Sequence, residues 1–152
     1  MFKSQYPPDI EQYEKDCSFG RMNEKRICPD MDKLLEEHFV STFNRFAPLD
    51  FIGDNYCLEV KSRRTTMKNI GEPYFNYTKY KYFKENYKIE NKKLVIVWCC
   101  EDADYYWILN AKECYKSTAG RIDRGRNEID EVIKVRPRFL TKFNEKENVC
   151  LL

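Results

Sequence analysis

The run Lys92-Lys93-Leu94-Val95-Ile96-Val97-Trp98-Cys99-Cys100 constrains the fold more than any other segment. It is far shorter than the roughly 18 apolar residues of a membrane span. It also lacks the apolar–polar alternation of a strand with one wet face, so it reads as a strand covered on both faces. A short acidic turn, Glu101-Asp102-Ala103, leads to Asp104-Tyr105-Tyr106-Trp107-Ile108-Leu109, which reads as its hairpin partner. A central strand that must be covered twice calls for layers, and helices among the remaining segments make the class α/β or α+β.

Those helices are legible as spacing. Ile27, Met31, Leu34, Leu35 and His38 recur at three- and four-residue steps, which predicts an amphipathic helix over about 21–38, kinked or divided by Pro29. Tyr77, Tyr80, Phe83 and Tyr87 predict a second helix over 75–88. Between them lie three strand-like segments: 39–46, 48–52 and 56–63, the last two joined across Gly53-Asp54-Asn55 as a hairpin. After 109 the chain reads as a Gly- and Arg-rich loop, a strand at 131–136 and a helix or turn beyond Pro137. Residues 1–18, with Pro7-Pro8 and no helical period, read as an N-terminal arm, and 19–152 as one domain.

Composition narrows the class further. With 42% hydrophobic and 34% charged residues in 152, the chain is neither disordered nor membrane-spanning, and no apolar leader opens it. Seven cysteines at positions 17, 28, 57, 99, 100, 114 and 150 show no repeated CxxC, and Cys57, Cys99 and Cys100 sit in strand-like runs. They read as buried thiols of a reducing, intracellular compartment rather than as a disulfide framework or zinc site. The single histidine makes a histidine-dependent triad a poor prospect, and no glycine-rich nucleotide-binding pattern occurs.

The hairpin carries the chemistry. Along Tyr56-Cys57-Leu58-Glu59-Val60-Lys61, alternation sets Cys57, Glu59 and Lys61 on one face and Tyr56, Leu58 and Val60 on the other. A two-residue Asp54-Asn55 turn places Asp50 directly opposite Glu59, with Cβ atoms about 4.5–5.5 Å apart, where like charges repel. A cation between them resolves the repulsion. A hard divalent ion such as Mg2+, held by one or two carboxylates plus waters and phosphate oxygens, suits the pair, and Lys61 would stand beside its bound water. The alternative is an ordinary solvated charged face.

Pro48-Leu49-Asp50, eight intervening residues and Glu59-Val60-Lys61 resemble the defining pattern of the PD-(D/E)xK nuclease superfamily, and the element order over about 20–110 is similar to its α-β-β-β-α-β core. The resemblance implies a restriction-endonuclease-like mixed sheet flanked by helices, here with a basic C-terminal extension. It implies that Asp50, Glu59 and the Val60 carbonyl bind Mg2+, with Mn2+ able to substitute, and that Lys61 assists the attacking water. It implies a glutamate from the first helix, with Glu24 the candidate and Glu37 the alternative. It also implies a substrate-facing residue on the second helix, Lys79, with Lys81 and Lys84 as rivals.

The formal charge of +2 hides an uneven spread: net −3 over 1–40, +5 over 41–100 and zero over 101–152. The positive middle surrounds the Glu59-Val60-Lys61 strand. Arg63, Arg64, Arg121, Arg124 and Arg126, with nearby tyrosines, are candidate phosphate and base contacts. The expected partner is DNA, double-stranded or branched, with RNA as the alternative. The expected assembly is a homodimer without membrane or nucleotide cofactor, in cytoplasm or nucleus and in a cellular, viral or phage setting.

Overall fold

The computed structural model describes residues 10–42, 48–121 and 128–146, the side chains of Arg121 and Glu128 excepted. It is an α/β protein built on a mixed sheet. Helix α1 (Ile10–Leu35) leads into strands β1 (Val40–Ser41), β2 (Phe51–Ile52) and β3 (Tyr56–Ser62). Helix α2 (Met67–Ile70), strand β4 (Tyr74–Asn76) and helix α3 (Tyr77–Asn86) follow. The remaining strands are β5 (Lys93–Cys99), β6 (Asp104–Ile108), β7 (Cys114–Arg121), β8 (Glu128–Val135) and β9 (Thr141–Phe143).

The main sheet runs β1-β2-β3-β5-β6-β9, and β3 with β5 is its parallel pair, joined by the α3 crossover. Strand β5 is central and has no wet face along Leu94–Cys99. Leu94, Ile96 and Trp98 enter one core cluster with Phe75, Phe83 and Trp107, while Val95, Val97 and Cys99 enter another with Ile27 and Met31 of α1. Truncating a side chain such as Trp98 to Ala in a core of this kind costs about 3–5 kcal/mol.

Several boundaries differ from the sequence expectation. Helix α1 starts at Ile10, so the second half of the expected arm is helical, and it passes Pro29 undivided. It ends at Leu35 rather than His38. Glu36 turns left-handed at φ 53°, Glu37 N–H closes onto the Asp32 carbonyl at 2.9 Å, and His38 is exposed instead of sharing the apolar stripe. The second helix starts at Tyr77, because 74–76 are taken by β4.

The basic C-terminal extension is not an appendage. Strands β7 and β8 join β4 in a second sheet ordered β4-β8-β7, whose Phe75, Ile133 and Val135 pack against the Trp98–Trp107 layer. Residues 118–121, read as loop, are the end of β7, and β9 beyond Pro137 adds to the main sheet beside β6. Arg124 and Arg126 lie outside the described residues, as does the side chain of Arg121.

Among the described residues no helix is long and apolar enough to cross a membrane. The six described cysteines carry no disulfide, and burial pushes the Cys57, Cys99 and Cys100 thiols up to about 12.

Candidate active site

The β2–β3 hairpin has the register expected of a two-residue turn. Phe51 faces Leu58, Ile52 faces Cys57, and Gly53 N–H donates to the Tyr56 carbonyl at 2.8 Å. Glu37 holds the turn from outside: its carboxylate accepts from Asn55 N–H at 3.0 Å and from the Asn55 amide at 2.7 Å. A Cβ at residue 53 would meet that carboxylate and push Glu37 off the turn. Glu37 is thus a turn-holding residue, whereas Glu24 is the glutamate that stands beside Asp50.

Strand β2 stops short of Asp50, where the chain bends. At the next ladder position Val60 N–H donates to Asp50 Oδ2 at 2.8 Å, so a side-chain carboxylate stands where a main-chain carbonyl would otherwise accept. The Leu49 carbonyl is instead taken by the Thr42 hydroxyl. Because N–H and C=O of one strand residue point to the same edge, the Val60 carbonyl also faces the Asp50 side.

Glu59, 2% exposed, points with Cys57 toward the α3 face of the sheet. Lys61 from the same strand and Lys79 from α3 both reach its Oε2, each at 3.1 Å, and Lys79 also donates to the Pro48 carbonyl. Glu59 Oε1 is buried and has no hydrogen-bond partner among the described residues. An orphaned carboxylate oxygen is costly in a protein interior.

The protonation balance follows from this crowding. Burial pushes the Asp50 carboxyl up to about 6, the Val60 N–H pulls it down, and the neighbouring Glu24 carboxyl adds to the rise. Burial likewise raises Glu59, opposed by Lys61 and reinforced by the negative charge of Asp50. Asp50, Glu59, Glu24, Lys61 and Lys79 therefore form one interacting group, drawn from α1, the hairpin and α3.

Among the described residues no three or more His, Cys, Asp or Glu side chains gather into a ready-made metal cage. Mg2+ asks for less, since one or two carboxylates suffice when waters and phosphate oxygens complete the shell. Asp50, opposite Glu59, together with the unpartnered Glu59 Oε1, fits that smaller demand.

The arginines expected to meet nucleic acid are spread out. Arg64 pairs with Asp16 of α1 and lies 4.6 Å over the Phe19 ring, and Arg63 donates to the Ser62 carbonyl at 2.9 Å. Lys81 is exposed and Lys84 lies over the Tyr80 ring, so of the three helix lysines only Lys79 reaches the carboxylates.

A second charged cluster went unread in the sequence. Asp104, fully buried at the start of β6, accepts from both Arg26 guanidinium nitrogens at 2.7 and 2.9 Å and from the Asn144 amide at 3.1 Å. Lys146 stands 3.2 Å from it, and Arg26 continues through Asn23 to the Ser62 hydroxyl. Hydrogen bonds and the Arg26 charge hold Asp104 below the usual carboxylate range against the opposing effect of burial. The partners lie 78 residues apart, so no local spacing announced them.

No family model matches the chain, and no curated protein and no solved structure matches it.

Proposed function

We propose that this protein is a metal-dependent nuclease of the PD-(D/E)xK type, hydrolysing phosphodiester bonds in DNA, with α1 through β5 as a restriction-endonuclease-like core. The observation that carries the reading is Glu59 Oε1, a buried carboxylate oxygen without a hydrogen-bond partner among the described residues, on the strand facing Asp50. Asp50 and Glu59, with the Val60 carbonyl on the same edge, would hold Mg2+ or Mn2+. When bound there, such an ion lowers the pKa of a coordinated water and neutralises charge on the scissile phosphate.

The chain's own residues supply the rest. Lys61 sets a fixed positive charge beside the carboxylates, where the attacking water and the developing phosphate charge would lie. Lys79 contributes a second ammonium from α3 and, through Pro48, ties the helix to the bend that carries Asp50. Glu24, against Asp50, would accept a proton or orient water from the α1 side. In the free site both lysines neutralise Glu59; substrate phosphates would compete for them. The reading includes a homodimer, which brings two sites to double-stranded or branched DNA, and a reducing compartment, in keeping with the thiols described above.

The test is incubation of supercoiled plasmid, branched DNA and RNA with Mg2+, Mn2+ or EDTA, using wild type, Asp50→Ala and Lys61→Ala. Cleavage that needs the metal and falls at least about 10²-fold in both variants is expected. Cutting that survives both substitutions overturns the site. Binding without any cutting assigns a nucleic-acid-binding module instead.

A further inference from the structure

Helix α3 separates the carboxylate site from a cavity of about 480 Å³ on its other flank, a volume in the range of small-ligand sites. The floor is apolar, with Phe83 and Leu94 buried in the core and Ile133 contributed by β8. The walls are aromatic. Tyr77 and Tyr80 lie with ring centroids 5.8 Å apart, and Tyr115 faces them from β7. Five lysines line the opening, and no carboxylate is among the described lining residues.

The lysines differ in their duties. Lys92 donates to the Gly53 and Asp54 carbonyls at 2.6 and 2.9 Å and so holds the hairpin turn. Lys116 sits 4.0 Å over the Tyr77 ring while pairing with Glu131, and Lys84 lies 5.5 Å from the Tyr80 ring centroid. Lys88 and Lys93 are exposed at the rim. Tyr77, Tyr80 and Lys84 share one stripe of α3, whereas Lys79 on the same helix reaches Glu59.

We propose that this cavity is a second binding site, which takes a nucleotide unit of single-stranded nucleic acid. The base stacks among Tyr77, Tyr80 and Tyr115, and the flanking phosphates meet Lys84, Lys88, Lys93 and Lys116. Aromatic faces beside ammonium groups match a nucleotide on both counts, because every base has a π-face and every linkage a negative charge. A duplex keeps its bases stacked inward and offers the tyrosines nothing, so an unpaired strand is the form that fits. The proposal deepens the nuclease reading and rests on it for the identity of the polymer. It implies that an unpaired strand beside a cut or branch point is gripped on the far side of α3.

Fluorescence anisotropy in EDTA, with the full chain, a labelled oligothymidylate and a duplex of equal length, tests it without the metal. The single strand is expected to bind more tightly than the duplex. The exposed-residue variant Lys84→Glu/Lys88→Glu is expected to weaken single-strand binding by about 10-fold or more at unchanged melting temperature, and Tyr115→Ala, which also gives up the Glu72 hydrogen bond and the Arg136 contact, to weaken it as much with a slightly lower melting temperature. Equal binding by both variants, preference for duplex, or thymidine monophosphate competing as well as the oligomer overturns it, the last assigning a free-nucleotide site. Plasmid cleavage separates the two readings. Normal cutting with unaffected single-strand binding in the variants removes the cavity proposal and leaves the nuclease. Variant-sensitive binding by a protein that cuts nothing removes the nuclease and leaves the cavity.

Discussion

Glu59 on β3 and Asp104 on β6 are both buried, at 2% and 0% exposure, and both are met by two cations, yet their shells differ in kind. Around Asp104 the Arg26 fork, Lys146 and Asn144 share out both oxygens, so the charge is closed off. Around Glu59 two lysines converge on Oε2 and leave Oε1 without a hydrogen-bond partner among the described residues. A carboxylate that builds structure is saturated by a rigid guanidinium and an amide. Under the proposed reading, Glu59 is neutralised by two ammonium groups on one oxygen, leaving the other open to a ligand. The contrast is one of charge saturation, and the proposed reading assigns chemistry to the unsaturated carboxylate.

The contrast can be attacked at each end. The largest effect is expected from Glu59→Gln, which keeps shape and removes charge. Cleavage should fall at least about 10³-fold, about 4 kcal/mol of barrier, while unfolding free energy in urea holds or rises by about 1 kcal/mol. A matching loss of stability would mean that Glu59 is structural after all. Arg26→Ala should do the reverse, costing about 2–3 kcal/mol of stability. That is below the cost of breaking a fully buried pair, because Arg26 is partly exposed and Lys146 remains. Cleavage per folded molecule should be unchanged, and a selective loss of activity would blur the distinction.

Acidity should divide the two centres by sign. The Asp50 pKa is raised to about 6, so the stability linked to its proton is present below the unfolded value near 3.8 and lost as pH climbs through 6. Asp50→Asn should therefore stabilise the protein above pH 7 by on the order of 2 kcal/mol and have little effect below pH 4. For Asp104 the folded pKa is lowered, so its contribution is present above the unfolded value and fades as acid takes pH below about 4. Urea midpoints of wild type, Asp50→Asn and Asp104→Asn across pH 3–8 read both slopes, and slopes of the same sign would break the comparison. The smallest effect is expected at Glu37, a third carboxylate engaged with the Asn55 turn. Glu37→Ala should cost about 1 kcal/mol in urea and leave cleavage per folded molecule unaltered.

What could be read beforehand was what periodicity encodes. The unbroken run at Leu94–Cys99 announced a strand buried on both faces, and the two-residue turn set the register that brings Asp50 opposite Glu59. The missed features lack a local signature. Helix α1 stops at Glu36 in a left-handed conformation that no glycine marks. Strand β4 was hidden because the tyrosine spacing of α3 runs on into it, and β7, with its polar, largely exposed sequence, shows no apolar alternation. The Arg26–Asp104 pair and the lysine-rimmed cavity exist only once distant segments meet.

The bond between Val60 N–H and the Asp50 carboxylate has one further consequence. The donor is a main-chain group, so the site is anchored by something every amino acid except proline possesses. Position 60 is answerable to the α1-side core for its size, and a swap such as Val60→Ile or Val60→Thr leaves the anchor intact. The part of this centre most dependent on geometry is thus the part least visible in the identity of its residues. A sequence could diverge a long way at position 60 and still present its aspartate at the same angle.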